Sequence, residues 1–587
     1  MADLRALLEM RQAMPLSFSD DGDTLLVGSD VPGTNQLHLL PARGGELRQL
    51  TDFRDPVSGQ LLPDGRILLE MDESGNERTQ LYLLDAVPGV EPEPLVVDPR
   101  YIHSSPHVGR EGTLLAYATN RRNSVDFDVV ARDLRSGEER SFELGGWCSV
   151  AGISPDGRWI VAERLGARSG DSDLFLLEAD SGEVVHVTPH EGEVAYETPV
   201  WLGDTPVYAT NDGRDTLAIV RDGEVVVESR WDLHCAADDA GRSLLVDANE
   251  DGYSRLTLRD PQTFALRGEV PLPEEGVVEH PIFSKDGSLL AFAFSSATEP
   301  HDVYVYDLDA HELRRLTTSP RAVEPSTLVR PELQRFESFD GESVPVFLFL
   351  PEGEAPFPVV VTVHGGPEAQ WRPWFTPSFA PLTQHLLSRG YAVAAPNVRG
   401  SSGYGRRYEH LDDVRLRLDS VADLGALHDW LGARPEIDGS RAVLYGRSYG
   451  GYMVLAGLAF QPERWAAGIE MVGISSLVTF LENTSDYRRA AREREYGSLA
   501  DDRDFLLEAS PMTRIDAIRA PLFIQHGAND PRVPVSESRH IHGVLSEKGI
   551  RCELLVHEDE GHMIAKLGNR IEAFTRAVAF LDEVLGA

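Results

Sequence analysis

Three residues far apart in this 587-residue chain have the types and local settings that nucleophilic hydrolysis needs: Ser448, Asp530 and His562. Ser448 lies in Gly446-Arg-Ser448-Tyr-Gly450, between an apolar run, Ala442-Val-Leu-Tyr445, and a helical pattern over about 451–459. A serine on a tight strand-to-helix turn takes a strained backbone, and a glycine two residues away on each side lets neighbouring chain pass close. The helix behind it turns free N–H groups and its positive dipole end toward any developing negative charge. The hydroxyl is a poor nucleophile until a base takes its proton. His562, in His557-Glu-Asp-Glu-Gly561-His562, has the chemistry of that base and then of the acid for the leaving group. Asp530, in His526-Gly-Ala-Asn-Asp530-Pro-Arg-Val-Pro534, is suited to hold the imidazole tautomer and stabilise its charge.

Each of the three follows an apolar strand pattern, at 442–445, 522–525 and 553–556. In a parallel sheet the functional groups collect at those carboxyl ends. The order Ser, Asp, His is that of α/β-hydrolase triads. The rivals are His557, Asp516 and Asp559. His557 sits nearer its strand, without the freedom Gly561 gives His562, and Asp516 precedes its strand at the wrong edge. For the oxyanion, His364-Gly365-Gly366-Pro367 follows a strand at 359–363, where such folds place a glycine-rich loop. The expected donors are the backbone N–H groups of Gly366 and Tyr449. His364 reads as structural. Pro396-Asn-Val-Arg399-Gly400-Ser-Ser-Gly403-Tyr404-Gly405 ends another strand and falls beside the site.

These groups need a scaffold, and the chain supplies two. From about 321 onward, apolar strands alternate with helical segments at 420–431, 535–548 and 570–584, the grammar of a mostly parallel sheet covered on both faces. An Asp340-Gly341 hairpin precedes it, after a linker at 321–333. From 15 to 320 the chain carries short alternating strands and no long helix. A turn recurs there, most clearly as Phe18-Ser-Asp-Asp-Gly22, Ile153-Ser-Pro-Asp-Gly157 and Phe283-Ser-Lys-Asp-Gly287. Weaker copies end on Gly65, Gly112, Gly203 and Gly241, and the marker glycines stand about 38 to 47 residues apart. That is the period of a four-stranded propeller blade, and seven blades are expected. Residues 4–12 read as a short helix with Leu4, Leu7 and Leu8 on one face. The expected organisation is an N-terminal helical segment at 1–14, a seven-bladed β-propeller at 15–320 and an α/β-hydrolase domain at 321–587.

Composition narrows the partners. A formal charge of -40 repels phosphates and argues against nucleic-acid or anionic-membrane binding. Three separated cysteines, Cys148, Cys235 and Cys552, make no disulfide framework or zinc site, which fits a reducing compartment. The first residues lack the basic start and apolar core of a signal peptide, and no run reaches the length of a membrane span. The cytoplasm is therefore expected. The sequence leaves room for a homo-oligomer.

Taken together, H-G-G-P at 364–367, N-x-R-G-S-x-G-Y-G at 397–405, G-x-S-Y-G-G-Y at 446–452 and N-D-x-R-V-P at 529–534 resemble the prolyl oligopeptidase family of serine peptidases. The resemblance covers the whole chain, with the N-terminal helix packing back on the hydrolase, and is greatest to acylaminoacyl peptidases and related bacterial oligopeptidases. His364 stands where prolyl oligopeptidases and dipeptidyl peptidases proper carry an oxyanion tyrosine, and the sequence offers no convincing Glu-Glu pair to clamp a free amino terminus, as dipeptidyl peptidases have. The resemblance implies that Arg532 contacts substrate. The specificity pocket should come from the segment after the strand at 467–472, with Leu477, Phe480, Leu481 and Tyr487 as candidates.

The expectation is a cytosolic serine peptidase acting on short peptides through an acyl-enzyme on Ser448, releasing N-acylated amino acids, with no metal or cofactor. The propeller would exclude folded proteins. The alternatives are an aminopeptidase or dipeptidyl-type enzyme acting on free amino termini, a carboxylesterase with the same triad, and a binding propeller with an inactive hydrolase.

Overall fold

The recurring turns of the first half fold as the periodicity requires. In the computed structural model, which describes residues 3–238 and 240–586, seven four-stranded antiparallel sheets follow one another along the chain. They span 13–49, 57–96, 103–142, 148–186, 196–227, 233–269 and 277–315. Met1, Ala2, Asp239 and Ala587 lie outside the described residues, Asp239 being one residue of the Ala237–Gly241 motif read from the sequence. All seven marker glycines, from Gly22 to Gly287, have φ between 66° and 84°, where side-chain-bearing residues are strained. Each blade is continuous in sequence. The first and last meet by packing Ala13, Leu25 and Val27 against Leu289, Ala291 and Val303, and the Ala13 N–H donates to the His301 carbonyl at 2.9 Å.

The second half forms one eight-stranded sheet. Its strands are β1 (Glu332–Glu337), β2 (Ser343–Phe349), β3 (Phe357–Val363), β4 (Ala392–Pro396), β5 (Ile437–Arg447), β6 (Ala467–Met471), β7 (Leu522–Gly527) and β8 (Cys552–His557). The order is β1-β2-β4-β3-β5-β6-β7-β8; β2 is antiparallel to both neighbours and the rest run parallel. The central strands are buried on both faces, which is why they read as unbroken apolar runs. One face packs on helices Arg417–Gly432, Tyr449–Phe460 and Val535–Glu547. The other packs on Ala380–Ser388 and the closing helix Leu567–Leu585.

The N-terminal helix is shorter than its pattern suggests, Leu4–Leu8. Beyond it the backbone is drawn into inter-segment bonds: Arg11 N–H donates to the Pro320 carbonyl and Gln12 N–H to Asp30. Leu4 and Leu8 join the core under Phe574 and Leu581, so this segment packs on the hydrolase domain while the next strand opens the propeller. No helix among the described residues is long and apolar enough to cross a membrane.

Candidate active site

Ser448 stands between β5 and the helix Tyr449–Phe460 with φ 59° and ψ -118°, the strained turn its motif implied. The glycines around it are sterically required. A Cβ on Gly446 would lie 2.3 Å from the Gly450 carbonyl oxygen, and one on Gly450 would lie 2.2 Å from that of Val363. The strained turn thus presses the helix start onto the end of β3, where the His364-Gly365-Gly366 loop begins. Gly365 comes within contact of Ser448: its added Cβ would be 3.4 Å from the serine Cβ. Gly366 and Ser448 line the same cavity, and Tyr449 N–H opens the helix, where no intrahelical acceptor exists.

The loops after β7 and β8 bring Asp530 and His562 together. His562 Nδ1–H donates to Asp530 Oδ2 at 2.7 Å. The other carboxylate oxygen accepts from the N–H groups of Arg532 and Val533 at 2.8 and 3.1 Å, which fixes its orientation. Burial would raise the Asp530 pKa, but the His562 charge and hydrogen bond, helped by His526, hold it below the usual carboxylate value. Burial lowers the His562 pKa below that of a free imidazole; Asp530 opposes this, while Arg532 and Arg447 add to it. A neutral imidazole anchored at Nδ1 and set in one cavity with Ser448 is equipped to accept the serine proton.

The rivals are engaged elsewhere. Asp516 pairs with Lys548, and Asp559 pairs with Arg54 and Lys566. His557 is buried at the end of β8 and makes no side-chain bond to Asp530. His364 is also buried; it hydrogen-bonds Ser401 at 2.9 Å and the Gly365 carbonyl at 2.9 Å, the structural part its sequence context suggested. The 396–405 motif is scaffolding for the same loop. Asn397 bonds both backbone groups of Trp371, and Arg399 is clamped between Asp340 and Asp423.

A cavity of about 500 Å³ opens onto Ser448 and His562 at the junction of the two domains, with Met14, Glu279 and His301 contributed by the propeller. Of the pocket candidates, Phe480 lines it. Leu477 and Leu481 are fully buried in the core behind. Tyr487 packs on Phe127 and Trp147 of the propeller. Arg532 lines the cavity and is paired through Nε with Glu77 of a propeller loop. Ile474, Tyr496, Val533 and Arg492 complete the wall beside Phe480. Tyr496 and Arg492 come from the helix Asp486–Tyr496, whose charged sequence gave no sign of a pocket.

Residues 377–587 match the prolyl oligopeptidase family. The chain carries a prolyl oligopeptidase family domain. Ser448, Asp530 and His562 all lie within the matched region. Dipeptidyl aminopeptidase BIII of Pseudoxanthomonas mexicana is similar at 29% identity, over 97% of this chain and 86% of its own length. The crystal structure of puromycin hydrolase superposes with a TM-score of 0.87 at 19% identity, covering 99% of this chain and 96% of that one. That of the Pyrococcus horikoshii acylaminoacyl peptidase gives 0.73 at 19% identity, covering 99% and 97%. These structural likenesses show the fold, a propeller followed by an α/β-hydrolase domain.

Proposed function

We propose that the protein is an exopeptidase that removes short N-terminal units, dipeptides foremost, from short peptides bearing a free amino terminus. Ser448 is the nucleophile, His562 the base and then the acid, and Asp530 its partner; the acyl-enzyme forms on Ser448. The N–H groups of Gly366 and Tyr449 receive the oxyanion. Phe480, Ile474 and Tyr496 hold the side chain before the cleaved bond, and Arg532 contacts the substrate backbone. Entry through the propeller and the inter-domain gap restricts substrates to unfolded peptides.

One observation carries the choice of a free amino end over a blocked one. Glu368, two residues past Gly366, is joined by Glu409, Glu197 and Glu163 in the interior between the domains. Glu368 accepts a hydrogen bond from Ser169 of the propeller and faces Arg492, which lines the triad cavity. Burial, then the neighbouring Glu495 charge, pushes the Glu368 pKa up to about 7, and burial pushes Glu163 to about 7 as well. Such a set of crowded carboxylates is stabilised by an incoming cation, and a peptide ammonium is the cation a peptidase meets. These glutamates come from four separate segments, so no adjacent pair announces them in the sequence. The name of the Pseudoxanthomonas relative supports the same reading.

The test compares a dipeptidyl coumarylamide with its N-acetylated form. The free amine should be turned over at least about tenfold faster in kcat/KM, with Glu368→Gln narrowing the gap. Faster turnover of the acetylated form would restore the blocked-terminus reading.

A further inference from the structure

The residue immediately before the nucleophile has no counter-charge. Arg447 makes no ion pair with any described residue, and its guanidinium donates from Nη1 to Ser378 Oγ at 3.0 Å. Its Nε is buried without a partner, its guanidinium lies 5.5 Å from the Phe379 ring centre, and the side chain lines the catalytic cavity. Arg532, in the same cavity, is by contrast paired with Glu77. An unpaired guanidinium deep in protein is costly, and burial indeed lowers its pKa, with Arg532 adding to the effect. The position is therefore built for an anion that the protein does not itself supply.

Its place in the sheet says which part of a substrate that anion belongs to. Side chains on a strand alternate between faces, so Arg447 at the end of β5 shares its face with Tyr445. Tyr445 belongs to the core packed on the closing helix, the face on which Ile564, two residues past His562, also packs. Phe480, Ile474 and Tyr496 belong to the core on the opposite face. The cavity thus has an apolar wall from one face and a wall carrying Arg447, Ser378 and Phe379 from the other. In peptide hydrolysis the leaving amine takes its proton from the histidine, so the leaving segment departs on the His562 side. That is the Arg447 side.

We propose that Arg447 is a carboxylate subsite that binds the free C-terminal carboxylate of the leaving segment, making very short peptides, with one or two residues beyond the cleaved bond, the preferred substrates. Nη1 and Nη2 form the fork that a carboxylate matches, with Ser378 alongside. The inference rests on the peptidase reading of Ser448.

The experiment measures kcat/KM for tripeptides and tetrapeptides as free acids and as C-terminal amides. Wild-type protein should favour the acids about ten- to hundredfold, mainly through KM. Arg447→Met should bring the ratio of acid to amide close to one, and Arg447→Lys should keep part of it. A ratio within one variant cancels any general loss of activity or folding. Equal turnover of acid and amide by the wild type, or an unchanged ratio in Arg447→Met, overturns the subsite while leaving the peptidase reading intact. Turnover of neither overturns the peptidase reading and this one with it. Amides with Asp or Asn in the leaving position separate a main-chain from a side-chain carboxylate: equal rates are expected, and a selective gain for Asp overturns the assignment to the C-terminus.

Discussion

Glu77 Oε1 accepts a 2.5 Å hydrogen bond from Nε of Arg532, tying a propeller loop to the chain two residues beyond Asp530. The other Glu77 oxygen accepts from Arg488. The same loop meets the histidine side of the triad. Gly75 packs so tightly on Gly561 that a Cβ on Gly561 would lie 1.9 Å from the Gly75 oxygen, and Asn529 donates to the Ser74 carbonyl at 3.3 Å. The propeller therefore braces both loops that carry the base and its partner.

Breaking this brace should cost rate. Glu77→Ala leaves Arg532 unpaired two residues from Asp530, removes the Arg488 ion pair and frees the loop, so kcat/KM should fall about ten- to hundredfold. Glu77→Ala and Arg532→Ala should be non-additive in a double-mutant cycle. Strict additivity would separate the ion pair from catalysis.

The nucleophile assignment has a plain test. Ser448→Ala should lower turnover at least about 10⁴-fold and abolish labelling by a fluorophosphonate, with the circular dichroism spectrum unchanged. Labelling that persists in the variant would place the nucleophile elsewhere.

The pH profile follows from the direction of the His562 shift. The base must be neutral, and burial lowers its pKa below the ordinary imidazole value of 6.5 despite Asp530. For an N-acetylated ester, which does not engage Glu368, the acidic limb of kcat/KM should accordingly lie below 6.5. Asp530→Asn should reduce kcat by about 10⁴-fold by allowing the wrong tautomer. An acidic limb centred above 7 contradicts the assignment.

The triad was legible because each member carries a local signal: strained glycine-flanked Ser448, and Asp530 and His562 on loops that end buried strands. The blades were legible because one Asp-Gly turn repeats at a fixed period. What the sequence hid is what depends on docking. Glu77 and Arg532 are 455 residues apart, and nothing local joins them. Tyr487 looked like a pocket residue by its distance from β6, yet docking gives it to Trp147 and Phe127 of the propeller. Tyr496, nine residues on, turns into the cavity instead. The helix over 4–12 was overextended because the pull of Pro320 and Asp30 on residues 11 and 12 is long-range.

Beneath the elbow, Arg417 is wholly buried between Asp412 and Glu495 and lies 5.1 and 4.9 Å from the ring centres of Tyr449 and Tyr496. Tyr449 OH donates to Asp412 at 3.0 Å. One cation thus holds the residue after the nucleophile and a wall of the pocket. Arg417→Met strands two buried carboxylates and should destabilise the protein by about 3–5 kcal/mol in denaturant unfolding. Combining it with Asp412→Asn and Glu495→Gln should recover part of that loss, which a purely steric role for Arg417 would not allow.

Glu470, on β6, gives a stability signature with a definite sign. It is fully buried, accepts from Gly473 N–H and Ser538 Oγ, and has no cation partner among the described residues. Burial pushes its pKa from 4.5 to about 8. The folded protein therefore keeps the carboxyl protonated over a range where the unfolded chain releases the proton. Stability from this group is full below 4.5 and is lost progressively as pH rises through about 8. Glu470→Gln keeps the neutral shape and removes the titration. Its stability relative to the wild type should rise between pH 6 and 9 by on the order of 1–3 kcal/mol, and level off above that. A difference that stays constant across this range would show that Glu470 is ionised in the fold, and would point to a counter-charge reaching it through Ser538 and His526, which share a 2.7 Å hydrogen bond.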